Sequence, residues 1–166
     1  MATKPCERPG QGEEIKKAAP AAFFFGGSRA VVGTNPVVFN SLEKPRGNAM
    51  AYVDGFVIAV PKDQLDAYKA MSRECEPVWR EYGAIDYVEC VGDDVPYGKV
   101  TSFPRAVQAT DDEVVIFSWI VYESREARDT VNNKAMNDTR LKKYENAVPF
   151  DGKRMIYGGF KPFLGL

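Results

Sequence analysis

Residues 52–60 read Tyr52-Val53-Asp54-Gly55-Phe56-Val57-Ile58-Ala59-Val60, a run of β-formers that stops at Pro61. It predicts a strand. Directly after it, Leu65, Tyr68, Ser72, Cys75, Trp79 and Tyr82 recur at three- and four-residue spacing, with Asp63 in the first turn and Gly83 just past the end. That spacing predicts an amphipathic helix over about residues 62–82, with Pro77 the place for any bend. In Ala84 to Val91, Ile85, Tyr87 and Glu89 alternate with Asp86, Val88 and Cys90 before Gly92-Asp93-Asp94, so a second strand follows.

The pattern then repeats. Glu113 to Tyr122 (Glu-Val-Val-Ile-Phe-Ser-Trp-Ile-Val-Tyr) predicts a third strand, and Ser124 caps a helix running to about Asn137, with a further short helical turn from Asp138 to Tyr144. The last strand, about residues 154–162, holds Gly158-Gly159, and paired glycines in a strand point to a bulge or to the close approach of another group. The order βαββαβ is the ferredoxin-like topology, an α+β class. Between strands two and three, residues 93–112 are long for a connection, and such loops tend to carry function or extra structure.

No comparable periodicity precedes Met50, so residues 1–49 are expected to be a disordered or non-native extension and residues 50–166 the domain. Lys16-Lys17 followed by an apolar run suggests a targeting peptide, a poor match because Pro20 interrupts the run and Glu13 and Glu14 precede it. Of 22 basic and 23 acidic residues, 7 and 4 fall before Met50, which leaves the domain with a net charge of −4. A mildly acidic domain argues against nucleic acid as a partner, which needs a dense basic face. No apolar run has the roughly 20 residues of a membrane-spanning helix, so no membrane partner is expected.

The chain contains no histidine, which removes every mechanism built on an imidazole nucleophile relay, haem ligand or metal ligand. Proton transfer falls to carboxylates, Lys, Tyr, Cys or water. Cys6, Cys75 and Cys90 are too few and too scattered for a disulfide framework or a zinc site, so no cofactor is expected and a reducing, cytoplasmic setting is the default.

Four segments carry a resemblance: Tyr52-Val53-Asp54-Gly55-Phe56; Asp93-Asp94-Val95-Pro96 with Gly98-Lys99-Val100-Thr101; Phe117-Ser118-Trp119; and the run from Phe150 to Phe160. Through them the chain from Met50 onward resembles the YbaA-like family of bacterial proteins, a family of unknown function in the dimeric α/β-barrel superfamily. The resemblance implies a four-stranded antiparallel sheet with both helices on one face and the other face open. An open apolar face implies a homodimer in which two sheets pack together.

Candidate site residues are few. Asp54 breaks the apolar run of the first strand; facing inward, it would need a partner such as Arg105 or Lys153, and otherwise it points to solvent or pairs at the sheet edge. Tyr87 and Trp119 would line a ligand cavity, or else fill the core. Lys99, Arg105, Lys153 and Arg154 would gather around an anion, or else pair with local acids. Asp93-Asp94 reads as an acid pair or a solvated turn, and Cys75 and Cys90 read as apolar fillers. Two classes of function follow: a non-catalytic small-ligand-binding or structural homodimer, and a cofactor-independent monooxygenase or isomerase by fold analogy. A regulatory subunit that binds another protein is the outsider.

Overall fold

Tyr52–Pro61 forms strand β1 in the computed structural model of the protein, which describes residues 51–165; the readings made for residues 1–49 lie outside that range. Phe56, Ile58 and Val60 enter the main core, whereas Val57 and Ala59 enter a smaller cluster on the opposite face. Burial on both sides is why this strand is almost continuously apolar rather than alternating.

Lys62–Gln64 makes one 3-10 turn, and helix α1 then spans Leu65–Tyr82, continuing through Pro77. Gly83 closes it with φ 118°, a left-handed stop that glycine adopts without a Cβ penalty. Strand β2 is Asp86–Val91, the short helix α2 is Phe103–Ala106, and strand β3 is Glu113–Tyr122. Helix α3, Arg125–Met136, starts where the sequence places it: the Ser124 hydroxyl accepts the Ala127 N–H at 3.0 Å. A 3-10 segment, Thr139–Tyr144, leads toward strand β4, Ile156–Phe160.

The four strands form one open antiparallel sheet in the order β2-β3-β1-β4. Tyr68, Cys75 and Trp79 of α1 and Val131 and Ala135 of α3 pack with Phe56, Ile58, Ile116, Ile120 and Tyr122, so both long helices cover the same face. The opposite face is less open than expected. Residues 93–112 fold α2 and lay Val107 and Ala109 over Val57, Ala59 and Val115, because those strand positions would otherwise expose apolar surface. Beyond that cover, Phe117 remains 43% exposed, Ile156 44% and Phe160 61%.

The paired glycines of β4 have separate jobs. Gly159 stands opposite Asp54, and a Cβ there would fall 2.7 Å from Tyr52 Cε1 and against its hydroxyl. Gly158 faces the other way, where a Cβ would meet the Phe160 ring at 3.4 Å. Gly159→Ala should therefore lower the unfolding free energy by about 1–3 kcal/mol through overpacking against Tyr52. Gly158→Ala should cost clearly less; urea melts of the two variants beside wild type make the comparison.

Candidate functional site

Two polar clusters lie on the helix-covered face of the sheet. The first is built on Asp54, which is wholly buried in β1. Its partner is Arg128 of α3, not Arg105 or Lys153: Arg128 Nε lies 3.4 Å from Asp54 Oδ1, and Asn132 Nδ2 donates to Oδ2 at 3.2 Å. The reason is topological. Even-numbered β1 positions face α3, whereas Arg105 is carried by α2 on the other side of the sheet. Arg128 also donates to the Tyr52 hydroxyl at 3.3 Å and pairs with Asp129 at 2.8 Å. Burial raises the Asp54 carboxyl to about 6, with Arg128 and Asn132 pulling the other way.

Asn132 completes this cluster. Its Oδ1 accepts from Trp79 Nε1 at 2.9 Å and from the Tyr122 hydroxyl at 2.8 Å while its Nδ2 serves Asp54. The Asp54 charge is thus met within the fold, by the Arg128 guanidinium on one side and the Asn132 amide on the other.

The second cluster is not answered in this way. On β2, Tyr87 and Glu89 point toward α1, Glu89 standing opposite Ser118 of β3. The Tyr68 hydroxyl donates to Glu89 Oε2 at 2.8 Å. A cavity of about 330 Å³ opens beside them between α1 and β2, bounded by Tyr68, Lys69, Ser72, Arg73, Tyr87 and Glu89. Ser72 Oγ and Ser118 Oγ are buried without a hydrogen-bond partner. They approach Glu89 closely enough to favour its ionised form but do not complete full hydrogen bonds with it.

Desolvation dominates at Glu89 and raises its carboxyl to about 7, against the lowering pull of Tyr68, Tyr87, Ser118 and Ser72. A carboxyl that titrates near neutrality can hold or release a proton under ordinary conditions. Burial and the Glu89 charge push the Tyr87 phenol well above its usual value, so it stays a donor. Cys75, on the same helix, is pushed up to about 12 by burial and is not a nucleophile.

Of the residues that the sequence offered as ligand contacts, Tyr87 lines this cavity, together with Cys90, which the sequence marked as a filler. The Tyr87 ring also meets Trp79, with centroids 6.3 Å apart. Trp119 lies on the opposite face, 5.5 Å from the Phe117 ring, so the two aromatic candidates do not share a site. Arg105 clamps the loop beside it: its guanidinium donates to the Tyr97 and Gly98 carbonyls at 3.0 and 3.1 Å and stacks 4.1 Å over the Tyr97 ring. Lys153 is exposed, its backbone N–H bonded to Asp151 at 3.0 Å, and Arg154 pairs with Glu113 and Asp151. The basic residues of the loops do not converge on an anion site. Asp93, Asp94 and Lys99 are exposed, and among the described residues no three His, Cys, Asp or Glu side chains gather as a metal would need.

Glu89 is the residue that sequence reasoning passed over. The signal was present: an acid in register with Ile85 and Tyr87, on the side of β2 that alternation assigns to the core.

Residues 51–152 match the family model described as "Protein of unknown function (DUF1428)". The chain is 54% identical over 115 residues to the uncharacterised protein YbaA of Escherichia coli strain K12, a stretch covering 69% of this chain and 98% of that protein. The YbaA proteins of Escherichia coli O157:H7 and Shigella flexneri match with the same identity and coverage.

The two clusters should answer amide substitution differently. In Asp54→Asn the new NH2 group must face either Asn132 Nδ2 or Arg128 Nε, both donors, so denaturant melts should show a loss of about 1–3 kcal/mol for the buried unsatisfied group. Around Glu89 the neighbours are hydroxyls, which donate or accept, so Glu89→Gln should be tolerated. Its pH dependence carries the sign. A carboxyl raised in the folded state binds its proton more tightly there than in the unfolded chain, so wild type loses stability as pH rises from the usual 4.5 through about 7. Glu89→Gln has no such loss and should gain on the order of 2 kcal/mol relative to wild type between about pH 5 and pH 8. Melts at the two pH values check it.

Proposed function

The chain belongs to the DUF1428 family of proteins of unknown function, and from that premise we propose that it is a small-ligand-binding homodimer, with its ligand beside Glu89 in the α1–β2 cavity. The single observation that carries this is the cavity itself: the Glu89 carboxylate and the buried Ser72 hydroxyl, which has no hydrogen-bond partner, line a space large enough for a small molecule. The Asp54 carboxylate, by contrast, is answered inside the fold by the Arg128 charge at 3.4 Å and the Asn132 amide at 3.2 Å.

The homodimer reading is supported from the other side of the sheet. Phe103, Phe117 and Trp119 form a chain of ring contacts there, at 5.7 and 5.5 Å, and Phe160 lies over Gly55 and Gly158. Apolar surface of this kind, on a sheet with both long helices on its far side, is satisfied by a second copy presenting the same face. The strand order β2-β3-β1-β4 supports the ferredoxin-like reading and, through it, the dimeric α/β barrel. Among the described residues no helix is long and apolar enough to cross a membrane, and the free thiols of Cys75 and Cys90 suit a reducing cytoplasm.

A second reading, an isomerase that moves a proton on its substrate, is favoured by one observation. Glu89 titrates near 7 beside the Tyr68 and Tyr87 phenols, a base and two donors in one cavity. It differs from the first only in whether the bound molecule turns over.

Native mass spectrometry should detect a dimer that carries a small molecule, lost on gentle activation and reduced in Glu89→Gln. Light scattering should give twice the chain mass for wild type and a monomer for Phe117→Asp, which places a charge on the exposed face. A monomeric wild type would remove the homodimer and leave that face to a different protein.

A further inference from the structure

We propose that the α1–β2 cavity takes a small hydroxylated carboxylic acid, with the ligand's carboxylate held at Lys69 and Arg73 and its hydroxyl donated to Glu89. This rests on the ligand-binding reading of the same cavity and adds the chemical class.

Lys69 and Arg73 are four residues apart on α1 and therefore share one side of the helix, where both line the cavity. Neither has an ion-pair partner among the described residues. The other charged residue at the mouth, Glu76, is spent on Arg80 at 2.8 Å. The mouth thus carries two positive charges with no ion-pair partner among the described residues, which attract an anionic group to that end of the cavity.

Deeper in, the requirement reverses. Tyr68 occupies Glu89 Oε2, and Oε1 has no full hydrogen bond among the described residues. An ionised carboxylate only accepts, so a ligand hydroxyl would add a donor to those that Tyr68, Tyr87 and the serines bring toward it, and Ser72 Oγ adds a group that donates or accepts. Tyr68, Tyr87 and Ile116 supply ring and branched walls between the two polar ends. About 330 Å³ suits one ring or a short chain, not a nucleotide.

The test titrates the full-length protein with 4-hydroxybenzoate by calorimetry at about pH 8, where Glu89 is ionised, beside 4-hydroxybenzamide, which lacks the charge, and benzoate, which lacks the hydroxyl. Wild type should bind 4-hydroxybenzoate, and loss of either ligand group should weaken binding by about tenfold or more, the scale of one charge-assisted hydrogen bond. The double variant Lys69→Gln/Arg73→Gln should no longer distinguish 4-hydroxybenzoate from the benzamide. Glu89→Gln should no longer distinguish it from benzoate. Equal binding of all three by wild type overturns the proposed class. So does absence of binding up to about 10 mM, well above the range of a specific small ligand. A neutral or cationic molecule found on the native protein and lost in Glu89→Gln would overturn the class while the ligand-binding reading stands. No co-purifying molecule together with no 4-hydroxybenzoate binding would overturn both.

Discussion

The side-chain amide of Asn132 ties four elements to one point. Its oxygen takes hydrogen bonds from Trp79 of α1 and Tyr122 of β3, and its nitrogen gives one to Asp54 of β1, while its own backbone belongs to α3. Its orientation is forced, since turning the amide over would set N–H against the Trp79 N–H and oxygen against the Asp54 carboxylate. Around it the remaining choices follow: Asp54 must face inward, Arg128 must follow it, and Tyr52 must lie flat enough that only glycine fits at position 159. Burying a carboxylate opposes folding, and the raised Asp54 carboxyl measures that cost. The return is a single seating of α3 on the sheet, because a shifted helix would leave several buried polar groups unsatisfied together.

Set beside that cluster, Glu89 shows how differently the fold can answer two strand acids. Both acids sit in strands on the helix-covered face, and desolvation raises both. Asp54 has a cation and an amide aimed at it, so its charge is answered inside the fold. Glu89 has hydroxyls around it and no cation among its hydrogen-bond partners, and the nearby cations Lys69 and Arg73 lie at the rim of an open cavity. Low polarity with incomplete hydrogen bonding is costly to keep, and a bound molecule removes that cost.

The opposite face of the sheet divides its surface by the same logic. Where Val57, Ala59 and Val115 emerge, the chain covers them itself with Val107 and Ala109, held by α2 and by the Arg105 clamp on residues 97 and 98. Arg105 and Arg154 are thereby consumed in holding loops: Arg105 on backbone carbonyls, Arg154 on Glu113 and Asp151. Both are basic residues that attract attention in a sequence, and both are explained by loops that need their carbonyls and carboxylates answered. The ring-lined remainder around Phe117 and Phe160 has no such cover from within the described chain.

Local pattern was enough for the elements. The ends of β3, the Ser124 cap of α3, the Gly83 stop of α1 and the close approach at Gly158-Gly159 were all legible, because strand alternation, capping and glycine chemistry act over a few residues. Asp54 was legible as an acid that breaks an apolar run, while its direction, inward or to solvent, stayed open in the sequence. What only the tertiary structure decided was partnership. Arg128 and Asn132 lie 74 and 78 positions from Asp54 in the chain, and Tyr68 lies 21 from Glu89, so no local periodicity connects them. The face on which Trp119 falls depends on its register with β1 and β2, and the cavity at Glu89 exists only because α1 crosses β2 there. Sequence alternation assigns a side chain to one face or the other; packing alone determines what waits on that face to meet it.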